Sequence, residues 1–329
     1  MKKFCILFLV IVAMNGFIWS SGAKESAPAA KTAAPVQLNF STGSMGGGFY
    51  AIGGGMADYL TKNVPGVRVT AVTSGGVNEN INRLDSGQAE IGLVNTIDPP
   101  LAFEGKEPYK KKFDKMRGAG ILYLQYGQPY TLKSTGIKTY LDLKGKTVCV
   151  GSPGGSMHQQ FYDWVRAHGL DPEKDFKGVF LPAREAMEAL KTGQVHAVME
   201  VSTLPTPIIS ELSLTHDISI IGFAPGVREK LVAQLPKYLP MTIPAGTYKG
   251  VDTPVDTVGS GAMWAVRVDL DETLVYNMVK AIYSKEGLAY LAKVHAAGAG
   301  ISLENAAKWR PIPLHPGAER YFKEAGVLK

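Results

Sequence analysis

Two glycine-rich turns in this chain are written in nearly the same letters. Residues 43–47 read G-S-M-G-G and residues 151–155 read G-S-P-G-G, 108 positions later. Each follows an apolar segment and precedes apolar residues at helical spacing, which predicts a strand, a tight turn and a helix N-terminus. Such a turn offers backbone N–H groups and the positive end of a helix dipole to an anion. The pair predicts two equivalent units that hold one small ligand between them.

A second pair of matching segments supports the prediction of two equivalent units. L-D-S-G-Q at 84–88 is echoed by L-K-T-G-Q at 190–194, 106 positions later, and each ends a predicted helix. Predicted strands at 67–72, 89–94, 179–181 and 195–201 alternate with helices. Strands that alternate with helices of this length predict an α/β fold with parallel pairing.

The extended segments between and after the repeats divide the chain. The runs 121–124 and 130–132 flank Gly127-Gln128-Pro129, and a comparable run lies at 262–266. We interpret these as strands on which the chain crosses between lobes and returns. The expected first lobe comprises 36–127 plus 265–329, the second comprises 128–264, and the tail from 271 is helical with interruptions at prolines.

The N-terminus has the pattern of a secretory signal peptide. Lys2-Lys3 precedes an apolar run at 4–19 and then small residues, so we predict a signal peptide at 1–23 and a flexible leader at 24–35. The run is shorter than the roughly 20 residues of a membrane span, although an uncleaved anchor is the alternative. The expected location is the periplasm or another extracytoplasmic space.

The number of cysteines and the net charge limit the classes of protein to which this chain can belong. Cys5 lies inside the predicted signal, so a lipoprotein anchor is not supported, and Cys149 alone allows no intramolecular disulfide. The formal net charge is +6, with scattered lysines and arginines. This charge favours anionic ligands and does not indicate nucleic acid.

Several ordered motifs resemble one family. Residues 42–53 read T-G-S-M-G-G-G-F-Y-A-I-G, where the TAXI family of substrate-binding proteins has T-G-G-T-G-G-x-Y-Y-P-L-G. Residues 73–81, 86–95 and 313–321 are similar to its T-x-G-G-x-x-E-N-L, S-G-E-A-D-L-A-L-V-Q and L-H-P-G-A-x-x-Y motifs. TAXI proteins are the receptors of one class of tripartite ATP-independent periplasmic (TRAP) transporters.

The resemblance implies a fold, a ligand class and a partner. The expected fold is the type II periplasmic-binding-protein fold, with two α/β lobes of mixed sheets, a two-strand hinge and a ligand enclosed between the lobes. It implies a small carboxylate, similar to glutamate or 2-oxoglutarate, delivered to TRAP membrane subunits. Met45 and Met157 stand where the family usually has threonine. We therefore expect the specificity of this protein to depend on them.

The candidate ligand-binding residues lie in the turns and at strand ends. They are Ser44, Met45, Gly46, Gly47, Tyr50, Ser74, Asn80, Asn95, Ser152, Gly154, Gly155, Ser156, Met157 and Thr203. Structural alternatives exist for many of them: tight-turn geometry for the glycines, core packing for Tyr50 and helix capping for Ser74.

Enzyme motifs fit poorly. G-G-S-M-H at 154–158 lacks the final glycine of a nucleophile elbow, and no HExxH, paired CxxC or Walker A lysine occurs. We expect a non-enzymatic, monomeric receptor without cofactor or metal. A sensory module that reports to a membrane kinase is the alternative, and a secreted hydrolase using Ser156 is the third hypothesis.

Overall fold

The computed structural model describes residues 34–329. The predicted signal peptide, and the predicted leader up to residue 33, lie outside the described residues. Within the described part, no helix combines the length and the apolar character needed to cross a membrane.

Strands and helices alternate through most of the chain. The strands are β1 (Val36–Ser41), β2 (Val67–Val72), β3 (Ile91–Asn95), β4 (Met116–Gly127), β5 (Tyr130–Leu132), β6 (Thr147–Cys149), β7 (Lys177–Val179), β8 (Ala197–Val198), β9 (Val201–Ser202), β10 (Ile218–Ile220), β11 (Leu239–Ile243) and β12 (Val255–Arg267). The α-helices are α1 (Gly48–Asn63), α2 (Val77–Ser86), α3 (Asp98–Glu104), α4 (Met157–Ala167), α5 (Ala183–Lys191), α6 (Pro207–Thr215), α7 (Val227–Gln234), α8 (Glu272–Ile282), α9 (Lys285–Val294), α10 (Leu303–Ala306) and α11 (Pro316–Glu324).

The first lobe is built on a mixed sheet with the order β2-β1-β3-β12-β4-β9, and β11 pairs with β12. β1 pairs in parallel with β2 and β3, as predicted, whereas β12 runs antiparallel to β3 and β4. Glycine ends α2 as the sequence predicts: Gly87 adopts φ +76° in the left-handed region, where glycine has no Cβ to clash.

The second lobe is built on a smaller mixed sheet with the order β10-β5-β8-β6-β7. The strand predicted at 195–201 is divided, because β8 pairs with β5 and β6 of this sheet whereas β9 pairs with β4 of the first. Separate apolar clusters fill the two lobes, one centred on Phe40, Ile52 and Trp264, another on Phe161 and Trp164. The residue boundaries proposed for the lobes stay a prediction.

The chain crosses between the sheets beside Gln128, which is fully buried. Its side-chain amide donates to the carbonyl oxygens of Ser202 and Thr203 at 3.3 and 3.0 Å and to Thr206 Oγ1 at 2.9 Å. Thr257 Oγ1 of β12 donates to the carbonyl of Gly127, the last residue of β4, at 2.7 Å. Buried side-chain hydrogen bonds therefore hold the chain in place where it crosses between the sheets.

The L-H-P-G-A motif organises the C-terminal helix. The Nδ1 atom of His315 accepts from Gly317 N–H at 3.2 Å and so caps α11. A Cβ on Gly317 would overlap the carbonyl oxygen of Glu272 at the start of α8. The motif thus sets the close packing of α11 on α8. Pro316 was expected to interrupt the helical tail, but it begins this helix. The N–H of the first helical residue has no partner within the helix, so proline, which has no N–H, fits there.

Two adjacent glycines of α1 test how closely this helix packs against Thr42 and Leu93. A Cβ on Gly53 would overlap Thr42 Cγ2 and lie 3.1 Å from Leu93 Cδ1, whereas a Cβ on Gly54 would meet nothing within 4 Å. We expect Gly53→Ala to lower the free energy of unfolding by about 1–3 kcal/mol through overpacking. Gly54→Ala should raise it by about 1 kcal/mol through helix propensity. Urea unfolding followed by circular dichroism measures both, and equal effects would contradict the packing described.

Candidate functional site

A small cavity lies between the lobes, where the glycine turns meet. Its volume is about 60 Å³. It is lined by Gly43, Ser44, Gly47, Gly48, Phe49, Gly75, Gly76, Val77, Asn95, Gln125, Gly155, Ser156, Met157, Gln160, Glu200, Val201 and Ser202. Such a volume holds roughly four to six water molecules.

Three helices begin at this cavity. α1 and α2 come from the first lobe and α4 from the second, and the residues at the start of each line the wall. The first N–H groups of a helix have no carbonyl partner within the helix. One of them, the N–H of Gly48, donates to Ser202 Oγ of β9 at 3.0 Å. The positive ends of three helix dipoles therefore meet at the cavity. At the start of α2 the N–H groups of Gly75 and Gly76 are already bonded, to Glu79 Oε2 at 2.7 Å and to Ser74 Oγ at 3.2 Å.

The lobes touch through their backbones at the third turn, residues 74–76. A Cβ on Gly75 would overlap the carbonyl oxygen of Pro153 in the second lobe. Beside it, Glu79 N–H donates to Gly154 O at 3.0 Å and Asn78 Nδ2 donates to Gly155 O at 3.3 Å. The structure is therefore the closed arrangement of the two lobes, and only glycine permits this approach at residue 75.

A buried carboxyl strengthens the closed arrangement. Asp98 Oδ2 accepts from Asn95 Nδ2 at 2.5 Å in its own lobe and from Ser156 Oγ at 2.6 Å across the cleft. Burial raises the pKa of Asp98, while these two hydrogen bonds act to lower it. Ser156 thereby links the second glycine turn to the end of β3.

Glu200 lines the cavity from the junction between β8 and β9 and carries a second buried carboxyl. Only 6% of the residue is exposed. Burial raises its pKa from an ordinary 4.5 to about 8. Gln160, which is 3% exposed and also lines the cavity, has an Oε1 atom without a hydrogen-bond partner in residues 34–329. The cavity lining contains no lysine, arginine or histidine.

Six of the residues predicted from sequence line the cavity. They are Ser44, Gly47, Asn95, Gly155, Ser156 and Met157. Of the two methionines expected to set specificity, Met157 reaches the wall, and its Sδ atom accepts from Val201 N–H at 3.3 Å. Met45 is 57% exposed and does not line the cavity.

The other predicted residues lie near the cavity without lining it. Tyr50 is 41% exposed, and the adjacent Phe49 faces the cavity instead, because successive helical side chains point about 100° apart. Asn80 is fully buried and donates to Thr42 O and Leu93 O at 2.8 and 2.6 Å.

Turn geometry and local hydrogen bonds account for the rest. Ser74 Oγ accepts from Gly76 N–H at 3.2 Å, and Thr203 Oγ1 donates to Pro205 O at 3.1 Å. Ser152 Oγ lies 3.4 Å from Ser44 Oγ across the cleft. Gly46 and Gly154 adopt positive φ angles of 90° and 77°. These roles organise the turns and leave their part in ligand binding a prediction.

Sequence reasoning missed the polar side chains on the cavity floor. Gln125 comes from the crossing strand β4, and Glu200 and Ser202 come from the segment between and within the short strands β8 and β9. The run 195–201 reads V-H-A-V-M-E-V, in which a glutamate amid apolar residues was the available signal.

Comparison with known proteins identifies the family. Residues 40–326 match the model of the NMT1-like family. This chain belongs to the NMT1-like family. The match covers both lobes and the C-terminal helices, so the protein is a family member over nearly all of its described length.

Solved structures share the fold at low sequence identity. A protein described as a periplasmic transporter has a TM-score of 0.56 and 12% identity over 90% of this chain and 96% of its own. A binding protein component of an ABC phosphonate transporter from Pseudomonas aeruginosa has a TM-score of 0.51 and 14% identity over 82% of this chain and 80% of its own. An ABC uptake transporter substrate-binding protein from Streptococcus pneumoniae, with bound histidine, has a TM-score of 0.50 and 14% identity over 78% of this chain and 91% of its own. The predicted type II periplasmic-binding-protein fold is confirmed.

The backbone contact at Gly75 provides a test of lobe closure. Gly75→Ala should oppose the closed arrangement, because its Cβ overlaps Pro153 O only when the lobes meet. The clash should cost about 1–3 kcal/mol and increase the radius of gyration measured by small-angle X-ray scattering. Gly54→Ala, in open space, is the matched control. Scattering from Gly75→Ala that still fits the closed structure would contradict this assignment.

The buried Glu200 carboxyl predicts a pH-dependent stability difference. Its folded pKa of about 8 exceeds its ordinary value of 4.5. Its contribution to stability is thus fully present below 4.5 and is lost as the pH rises through 8. We expect Glu200→Gln and the wild type to be equally stable near pH 4, with the variant several kcal/mol more stable near pH 9. Urea unfolding at both pH values measures the difference, and a constant difference would contradict the prediction.

Proposed function

We propose that this protein is an extracytoplasmic solute receptor that binds a small organic acid between its lobes. The observation that carries the proposal is the cavity formed by glycine turns from both lobes, at the N-termini of α1, α2 and α4. A ligand held by both lobes stabilises the closed form relative to the open one. This coupling is what a receptor needs in order to signal occupancy to a membrane partner.

A carboxylate is the ligand group that suits these turns. Its oxygens accept hydrogen bonds, and the helix starts supply oriented N–H donors in a site shielded from water. The lining contains no cationic side chain, so the backbone provides the recognition of the anion. The cavity volume of about 60 Å³ favours acids smaller than glutamate or 2-oxoglutarate unless the lobes close less tightly around a larger one.

The transporter class is the finer part of the proposal. The motifs at 42–53, 73–81, 86–95 and 313–321 support a TAXI-type receptor that delivers its ligand to TRAP membrane subunits. The family match and the names of the structural neighbours, which include components of ABC transporters, support the broader class of substrate-binding proteins. The charged and apolar segments at 1–23 support secretion by a cleavable signal peptide.

Substitution of Ser156 tests both the receptor and the hydrolase hypotheses. Ser156→Ala removes the 2.6 Å hydrogen bond to Asp98 and leaves a buried carboxyl with one donor fewer. We expect the closed form to lose about 1–3 kcal/mol, which weakens binding about 5- to 150-fold. Isothermal titration calorimetry of the mature protein with acetate, propionate, L-lactate, L-alanine, L-glutamate and 2-oxoglutarate measures the affinities.

The matched control is Ser134→Ala, which removes an exposed hydroxyl that does not line the cavity. It should bind as the wild type does. Turnover of an ester or amide substrate that Ser156→Ala abolishes would favour the hydrolase. Absence of binding to every acid of the panel, after refolding to remove copurified ligand, would contradict the receptor proposal.

A further inference from the structure

A second, larger pocket lies beside the strands that join the lobes. It is formed by residues of β4, by Leu204, by the short helical turn at 296–300 and by the segment 305–309, and its volume is about 520 Å³. We call it the back pocket. Its size is typical of small-molecule sites, which are lined mainly by apolar and aromatic side chains with a few polar groups. The lining of the back pocket has this composition.

The two cavities lie on opposite faces of β4. Gln125 lines the cavity between the lobes, whereas its neighbours Leu124 and Tyr126 line the back pocket. Successive side chains of a strand point to opposite faces, which explains this alternation. The segment that follows β8 also reaches both cavities, since Ser202 lines the first and Leu204 lines the back pocket.

The back pocket contains parts of both lobes. Leu122 and Ala297 pack in the apolar cluster of the first lobe. Tyr126 and Leu204 pack against a cluster of the second lobe that includes Ile208. Because the two cavities lie on opposite faces of β4, a rotation about the crossing strands that widens one narrows the other. An occupant of the back pocket therefore favours the closed form, in which the pocket has the volume given above.

An indole ring and an ammonium group give the back pocket its chemistry. Trp309 is 37% exposed, and a Cβ on Gly261 would lie 3.4 Å from its Cε3 atom, so the ring rests on β12 where that strand has no side chain. Leu124 adds an exposed apolar side chain to the same pocket. Lys308 is exposed and is the only charged residue among the described residues that line the pocket.

An aromatic carboxylate complements these groups. A flat aromatic ring packs on indole and phenol rings in offset or edge-to-face geometry. A carboxylate attracts the Lys308 ammonium and accepts hydrogen bonds from it and from the side-chain amide of Asn305, which also lines the pocket. A cationic ligand would instead face Lys308 with like charge.

We propose that the back pocket is a second binding site, for an aromatic carboxylate, and that its occupancy favours the closed form of the lobes. The aromatic ring lies against Trp309 and the carboxylate pairs with Lys308. Thermodynamic linkage then requires that a ligand in either cavity raise the affinity of the other cavity by the same factor. The binding site itself does not depend on the proposed receptor function.

Isothermal titration calorimetry with 3-phenylpropionate and its neutral amide, 3-phenylpropanamide, tests the binding site. We expect the wild type to bind the carboxylate about 2- to 5-fold more tightly than the amide, the range of an exposed ion pair. Lys308→Gln should remove this preference and leave the affinity for the amide unchanged. Leu124→Glu, which adds a negative charge at an exposed strand position of the pocket, should abolish binding of the carboxylate.

Lys249→Gln is the matched control, because it makes the same change on an exposed lysine that does not line the pocket. It should bind both compounds as the wild type does, and circular dichroism confirms that each variant folds. Failure of the wild type to bind 3-phenylpropionate, or an unchanged preference in Lys308→Gln, would overturn the site. Dimers that dissociate in Leu124→Glu would show that a second copy of the chain covers the pocket instead. These failures leave the interlobe cavity and the proposed receptor function intact.

Hydrogen exchange at the Glu79 amide tests the effect on closure. This N–H lies in the first turn of α2, where no helical carbonyl accepts it, and it donates to Gly154 O of the second lobe at 3.0 Å. Saturating 3-phenylpropionate should slow its exchange about 5-fold or more in the wild type, the lower end of typical coupling between sites. It should have no effect in Leu124→Glu. Unchanged or faster exchange in the ligand-saturated wild type would overturn the coupling.

Discussion

The closed structure depends on the approach of two backbones across the cleft. Gly75 lies against the carbonyl of Pro153 so closely that no side chain fits between them. This contact brings the third glycine turn against the second. The hydrogen bonds from Glu79 N–H and Asn78 Nδ2 to the carbonyls of Gly154 and Gly155 then follow from the alignment. The carbonyl groups of Gly154 and Gly155 in the second turn are thus bonded by donors of the first lobe.

The floor of the cavity is built from the segments that join the lobes. Gln125 belongs to β4, and Glu200 directly precedes β9, which pairs with the end of β4. The buried amide of Gln128 bonds to the carbonyls of Ser202 and Thr203 in the same region. A group that binds at the floor therefore contacts the crossing itself. Binding in the cavity can therefore change the relative position of the lobes. Coupling between two sites requires such an element with two arrangements.

Local patterns predicted the elements well and the cavity floor poorly. β-Branched alternation at 67–72 and the stop at Gly87 were confirmed, because both depend on neighbours in sequence. The run 195–201 was predicted as one strand and is divided between two sheets. The choice of partner sheet for each half depends on tertiary pairing, which periodicity does not encode. Phe49 lines the cavity whereas Tyr50, the predicted residue, does not, since the rotation of α1 about its axis fixes which ring faces inward.

The sequence by itself determined the repeated strand-turn-helix units, the glycine turns and the family motifs that mark a binding protein of this fold. These features are local, and glycine, apolar spacing and helix starts express them directly. Only the tertiary structure decided that Glu200 and those turns line one small cavity. Glu200 is far in sequence from the turns at 43–47 and 74–76, so its place in the cavity lining became visible only in the folded chain.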